Sequence, residues 1–561
     1  MSEPSSEPAV LVVGGSGAFG SRLVAGLVAT TTVSVVVAGR DLDRAEATAR
    51  LHPAGRVRAI RLDAAKITSE ALKALDLCLV VDAAGPFQGT EPRLARAAIA
   101  AGLPYLDLAD ARDFVADFVR LDGEARAAGV PALTGASSTP ALSNAALAAI
   151  TLGWRRVEAV SVAIVPGNRA PRGLSVMRAI LSYAGQPIRV FRDGAWEHRA
   201  GWGLLVRLGV PGLGHRWASL CETPDLDIMP ARWPEARSVV FRAGLELSLL
   251  HLGLWLTSLP VRWRILPSLA PFAQPFLAVA RALDRFGSDR GGMVVEALGR
   301  DSDDRPTRAT WSLTAEAGDG PYVPTLPALA MIRRLTDPAA EQVPAGARAC
   351  TDLLPLKAIE AEMSRLRLRT RVDVEPAVPL FERALGSDFA AMPSSVRALH
   401  GATGGLTFSG EAEVERGRGR AVALLAALFR LPHASAACPV RVAIRPEAGT
   451  ELWTRRFGSE RFSSVMSLAP CGKGRGLFRE RFGPFSMDLA VSAHAQGLDM
   501  TVTGWRLGPL PLPRSLSPAT RASERVDERG RFRFDVALLL PFVGLLVHYR
   551  GWLVPDGEDG R

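Results

Sequence analysis

The sequence predicts a chain in three parts: a doubly wound parallel α/β sheet, an α+β part with a mainly antiparallel sheet, and a β-rich C-terminal part. Three observations carry this. Short apolar runs alternate with helical patterns from residue 9 to 150, as parallel βαβ units require. From about residue 155 the apolar runs lengthen into half-buried strands such as 157–166, 293–300 and 308–317. Period-2 alternation then dominates, clearest in Leu498, Met500 and Val502 against Asp499, Thr501 and Thr503.

The first element is AVLVVGGSGAFG at 9–20, five apolar residues followed by Gly14, Gly17 and Gly20. Glycines at that spacing let a pyrophosphate approach the main chain, and the helix starting near Ser21 offers free N–H groups to it. Ser16, Ala18 and Phe19 share the turn. The second strand, 33–40, ends in Gly39-Arg40, where NAD-binding chains place an acidic residue on the ribose. A guanidinium there suits a 2′-phosphate, so the expected cofactor is NADP in preference to NAD. A third strand ends at Leu62-Asp63. A fourth ends in Ala84-Gly85-Pro86-Phe87, a small-residue loop over which a cofactor can lie.

Helices are predicted at 90–102 and 112–128, with a short strand at Tyr105-Leu106-Asp107 between them. YLDLAD at 105–110 places Asp107 and Asp110 at the end of a strand where α/β sheets bind ligands. Either can act as a base or orient substrate, and Asp110 can equally cap a helix. Ser137, Ser138 and Thr139 form a hydroxyl-rich loop that can bind substrate or cap the next helix. Tyr183 is a candidate proton donor. The YxxxK pair is missing, since Ala109 and Pro187 stand four residues after Tyr105 and Tyr183.

Taken together, the glycine turn, the AGR strand end, AAGPFQG, YLDLAD and GASSTPALSN resemble the saccharopine dehydrogenase-like NADP-binding family over 8–150, and more loosely to about 340. The resemblance implies a Rossmann domain with pyrophosphate at 14–20, Arg40 at the ribose phosphate and 84–87 near the nicotinamide. It leaves the substrate open.

In the second part, 327–335 reads as a helix that the resemblance packs back on the Rossmann domain. Residues 245–261 and 265–283 form an apolar insert interrupted by Pro267, Pro271 and Pro275. Neither segment reaches the about 20 uninterrupted apolar residues of a bilayer span. Three readings stay open: helices lining an apolar pocket, peripheral membrane contact helped by Trp255, Arg262, Trp263 and Arg264, or a spanning hairpin. A connector at 341–377 holds a helix and ends at paired prolines. The C-terminal part, 378–555, opens with helical segments, continues as hairpins and carries one amphipathic helix at 420–432. Trp453, Arg455, Arg456, Phe457, Trp505, His548, Tyr549 and Arg550 are candidates to line an apolar ligand site in a curved sheet. Its ending resembles the close of an uncharacterised bacterial domain fused behind such Rossmann proteins, a resemblance that covers this whole part and implies no particular activity.

Composition limits the partners. The 561 residues carry 67 Lys+Arg against 57 Asp+Glu, with lysine confined to Lys66, Lys73, Lys357 and Lys473. That arginine excess fits a GC-rich bacterial coding bias, and no basic-aromatic stripe for nucleic acid appears. Cys78, Cys221, Cys350, Cys438 and Cys471 are scattered without metal-ligand spacing, so no metal is expected and a reducing cytoplasm is. MSEPSSEP at 1–8 reads as a disordered tail. The expected function is an NADP-dependent oxidoreductase acting on a small apolar or lipid-like substrate, with a homodimer and peripheral membrane contact as expected partners. A non-catalytic NADP-binding scaffold and a lipid-binding or membrane-tethering protein remain alternatives.

Overall fold

A computed structural model describes residues 9–171, 173–401, 403–447, 449–469, 476–508 and 510–556. The predicted tail at 1–8, with Cys471 and Lys473, lies outside them. The chain divides into two compact units, one of 1–297 with 309–374 and one of 298–308 with 375–561.

The first unit holds two sheets. Strands β1 (Ala9–Val13), β2 (Val35–Gly39), β3 (Val57–Arg61), β4 (Leu77–Asp82), β5 (Tyr105–Asp107) and β6 (Pro131–Thr134) pair in the order 3-2-1-4-5-6. These pairings are all parallel, as expected of a Rossmann sheet. Strand β1 is buried along its whole length, which explains its continuous apolar sequence. Gly14 adopts φ +75°, and a Cβ there would meet the Ala84 backbone at 2.7 Å. That glycine is required by the crossing of two loops, before any ligand is considered.

Two expectations change here. The helix predicted at 112–128 is divided into Arg112–Asp117, a 3-10 turn at Phe118–Leu121 and Asp122–Ala127. Phe118 and Leu121 are both buried, and the tighter turn brings residues three apart onto one line. The connector at 341–377 supplies Gly346–Ala349 as a seventh parallel strand beside β6, and Leu368–Pro376 as an outer strand of the second sheet. The predicted helix within it is only Leu356–Ala361.

The second sheet is mixed. Val206–Val210, Gly214–Leu220 and Ser238–Gly244 pair antiparallel in turn, whereas Ser238–Gly244 runs parallel to Arg156–Val165. The helix Leu326–Thr336 returns to the Rossmann core through Leu329, Met331 and Ile332, as the resemblance implied. The apolar insert forms helices Ser248–Thr257, Leu259–Arg262 and Ala273–Ala282, and no helix among the described residues is long and apolar enough to cross a membrane. The hairpin-span reading is therefore corrected: the prolines and the Ser258 break keep each helix short. Trp202, Leu254 and Leu277 are buried in the insert's own small core.

The β-rich part expected from the sequence, with its curved antiparallel sheet, contains a closed barrel of ten antiparallel strands. Closure comes from the first and last strands, Leu406–Arg416 and Gly544–Pro555, which pair antiparallel, while every other barrel pairing joins strands that follow one another along the chain. Three short helices, Leu380–Leu385, Ser387–Ala391 and Ser394–His400, precede the barrel, and the predicted amphipathic helix is Arg420–Phe429. Two strands carried no sequence signal, Glu460–Leu468 and Ala519–Val526.

Candidate functional site

The C-terminal ends of β1 to β4 surround a cleft of about 820 Å³. Its walls include Gly14, Ser16, Gly17, Arg40, Asp63, Ala84, Gly85, Pro86 and Phe87 from the predicted set. Ala18, Phe19 and Gly20 stand outside the wall. Phe19 packs on the Rossmann core, and Gly20 is the first residue of helix Gly20–Thr30, pressed against the Gly14 carbonyl. A Cβ on Gly17 would meet only the Gly14 oxygen at 3.0 Å, so the fold itself constrains Gly17 far less than its neighbours. The room left over Gly17 is what the close approach of a pyrophosphate would need.

Arg40 lies exposed on this wall and makes no hydrogen bond or ion pair among the described residues. Sequence reasoning missed its companion Arg44, one helical turn on, whose Nη2 donates to the Ser16 carbonyl at 3.3 Å. Asp41, between them, accepts from the Arg44 N–H at 3.1 Å as the helix cap. Asp63 accepts the Ala65 N–H at 3.1 Å and shapes the loop after β3. The set fits a dinucleotide: a glycine turn at the mouth of the cleft, and two guanidiniums, Arg40 and Arg44, on its wall.

Beneath the 84–87 loop lies a buried acidic network. Asp82 accepts the Ala84 N–H at 2.8 Å, and burial pushes its carboxyl up to about 6. Asp107 is fully buried, and its Oδ1 accepts from Gly135 N–H at 2.7 Å, Thr134 Oγ1 at 2.9 Å and Ala109 N–H at 3.0 Å. Desolvation raises its pKa to about 7 against those donors, and Tyr105 beside Asp82 and Asp107 is raised well above its ordinary value by the same burial. Asp107 thus ties β5 to the loop after β6. Because the folded pKa exceeds the ordinary 3.8, stability is greatest below about pH 4 and is lost as pH rises through about 7. Asp107→Asn mimics the protonated acid. Its unfolding free energy should match wild type near pH 4 and exceed it by about 4 kcal/mol above pH 7. A pH-independent difference in denaturant titrations refutes this.

Gln88 links the cleft to a second cluster, donating to Asp110 Oδ1 at 3.4 Å. Asp110, Tyr183, Cys221 and Glu222 gather there. The Tyr183 hydroxyl lies 3.0 Å from Cys221 Sγ. Burial raises all four; Tyr183 goes well above its usual range and Cys221 to about 12, with Asp110 and Glu222 adding to both. Of these, sequence reasoning found Asp110 and Tyr183. Cys221 and Glu222 ended an unremarkable strand and gave no local signal.

Ser137 and Ser138 are buried and absent from the cleft wall. Thr139 Oγ1 and Asn144 Nδ2 each donate to Asp225 at 2.9 Å, and burial raises Asp225 to about 6. Beside them Arg112 forks onto Asp227, with Nε and Nη2 each 2.6 Å from a carboxylate oxygen. Among the described residues no His, Cys, Asp and Glu group could hold a metal.

The parallel sheet and its cleft define a dinucleotide-binding α/β unit joined to a second sheet. Residues 10–133 match the family model described as the Saccharopine dehydrogenase NADP binding domain, and residues 392–553 match a Domain of unknown function, DUF4166. Both ends of the resemblance read from the sequence are thereby matched, and the first supports a nicotinamide cofactor. No curated protein matches. Similar solved structures include apo saccharopine dehydrogenase (L-Glu forming) from Saccharomyces cerevisiae, at 15% identity and TM-score 0.49, covering 65% of this chain and 100% of that one. GenD2 from gentamicin A biosynthesis, in complex with NAD, is 19% identical with TM-score 0.25 over 44% of this chain and 67% of its own. A myo-inositol dehydrogenase from Corynebacterium glutamicum is 11% identical with TM-score 0.26, over 43% and 68%.

Proposed function

We propose that this chain is an NADP-dependent oxidoreductase whose chemistry takes place where the cofactor cleft meets Asp110 and Tyr183. The observation that carries the reading is that cluster of desolvated titratable groups, joined by Gln88 to the loop expected beside the nicotinamide. A bound nicotinamide supplies or accepts hydride. The side chains handle the proton. Tyr183, raised well above its ordinary value, keeps its hydroxyl proton at neutral pH and can donate a hydrogen bond to a carbonyl oxygen. The Asp110 carboxyl, raised by desolvation, is placed to exchange a proton beside it. Ser137 and Ser138 act behind this cluster by setting the loop.

The expected assay is NADPH consumption in the presence of a lipid extract. Asp110→Asn should lower the rate about 100-fold, within the range for a lost acid–base group, with NADPH affinity unchanged. Binding of NADPH without consumption favours the scaffold alternative.

The insert favours an apolar setting. Leu249, Leu256, Trp263 and Ile265 are exposed there, with Arg264 between the last two. We read this face as contacting an anionic membrane surface that presents a lipid-like substrate. Co-sedimentation with phosphatidylserine vesicles should fall at least fivefold in Trp263→Ser/Ile265→Ser. Equal sedimentation of wild type and variant, or a concentration-dependent dimer lost in the variant, assigns the face elsewhere.

A further inference from the structure

The barrel of the second unit encloses a cavity of about 360 Å³, lined almost wholly by apolar side chains such as Leu425, Met500, Val536 and Leu538. Ten strands make a wider barrel than the eight whose interior side chains just fill. The volume falls in the range of small-molecule sites, about 300–1,000 Å³. An apolar ligand in a space of this size gains dispersion contacts with the wall on all sides. Helix Arg420–Phe429 turns Leu425 and Phe429 toward the cavity and leaves Leu424 and Leu428 exposed.

One polar patch interrupts this lining. Arg455 Nη1 donates to Ser464 Oγ at 2.8 Å, Arg455 Nη2 to Glu480 Oε1 at 3.2 Å, and Ser464 Oγ to the same Oε1 at 2.6 Å. Glu524, also on the wall, meets His400 Nε2 at 2.5 Å. Tyr549 faces the patch; burial pushes its hydroxyl up to about 12, with Arg455 opposing and Glu480 and Glu524 adding, so it remains a donor at neutral pH. Of the residues suggested from sequence, Trp453, Phe457 and Trp505 also line this space. Arg456, His548 and Arg550 do not: the last two pair with Asp535 and Glu413 outside the cavity.

We propose that the barrel is a binding site for a neutral long-chain molecule bearing one oxygen function, an alcohol, ketone or ester, held by the Arg455–Tyr549 patch. The charge balance selects against fatty acids. Arg455, the one guanidinium among the described lining side chains, is already paired with Glu480, and Glu524 is paired with His400. A ligand carboxylate would enter a low-dielectric space with both Arg455 and His400 already engaged by glutamates. A hydroxyl or carbonyl oxygen needs only the donors on offer.

The test uses the full chain and displacement of the neutral fluorophore N-phenyl-1-naphthylamine by 1-hexadecanol or by palmitate at pH 8. Wild type should bind hexadecanol at least tenfold more tightly than palmitate. Glu480→Gln frees Arg455 and should move that ratio at least tenfold toward palmitate. Met500→Trp fills the cavity and should abolish displacement by both while the chain melts cooperatively like wild type. Failure of hexadecanol to displace the probe, equal affinity for the two ligands in wild type, or wild-type binding by Met500→Trp overturns the proposal. The wild-type ratio stands even if Glu480→Gln does not fold.

Discussion

Arg112→Ala is expected to lower the unfolding free energy of the first unit by about 3–5 kcal/mol, the cost of removing one partner from a buried ion pair. Arg112 is 7% exposed, yet all three of its nitrogen groups are engaged. Nε and Nη2 fork onto Asp227, and Nη1 donates to the Arg189 carbonyl at 2.7 Å. Burial raises the Asp227 carboxyl, but the Arg112 and Arg189 guanidiniums outweigh it and hold the group below its ordinary range. Asp227 therefore contributes stability above its unfolded pKa and loses it as pH falls through the lower folded value. In Arg112→Ala the loss should be largest near neutrality and shrink in acid. Arg112→Lys keeps the charge but not the fork, and should recover only part of the loss. Denaturant titrations at pH 3 and pH 7 measure both effects. A loss equal at the two pH values would mean that packing, and not the ion pair, is what Arg112 supplies.

The same residue shows where legibility ends. Arg112 stood at the start of a predicted helix and was not singled out. Its partner is 115 positions away, beyond any local pattern. Asp225 and Cys221 escaped for the same reason. The cofactor cleft was far more readable, because a pyrophosphate cradle is built from consecutive residues of one turn and the ends of adjacent strands. Gly14, Gly17, Arg40 and the 84–87 loop stand together as their spacing implied. Arg44 was overlooked although one turn of helix separates it from Arg40. In the barrel, Glu460–Leu468 and Ala519–Val526 gave no alternation to read, since serine and threonine occupy inward and outward positions alike. Closure was illegible too: it rests on Leu406–Arg416 pairing with Gly544–Pro555, the first barrel strand with the last, which no local pattern shows.

Arg40→Ala is expected to weaken NADPH binding roughly 10- to 100-fold, since a hydrogen bond to a charged group is worth about 1.5–3 kcal/mol. NADH, lacking the 2′-phosphate, should bind the variant as it binds wild type. The reason lies in what Arg40 does not touch: no carboxylate or carbonyl among the described residues competes for its guanidinium, so its donors remain free for an anion in the cleft. Arg44 differs. Its Nη2 already donates to the Ser16 carbonyl, so Arg44→Ala removes a charge and also loosens the glycine turn. It should weaken NADPH more than NADH, but both to some degree. The double variant should bind the two cofactors about equally, which converts the preference into a property of two named side chains. Fluorescence titration of both cofactors against all four proteins decides it. An equal loss for NADPH and NADH in Arg40→Ala would move that guanidinium from the ribose phosphate to the pyrophosphate. Equal affinity of wild type for the two cofactors would remove the NADP preference itself, while leaving the cleft a dinucleotide site.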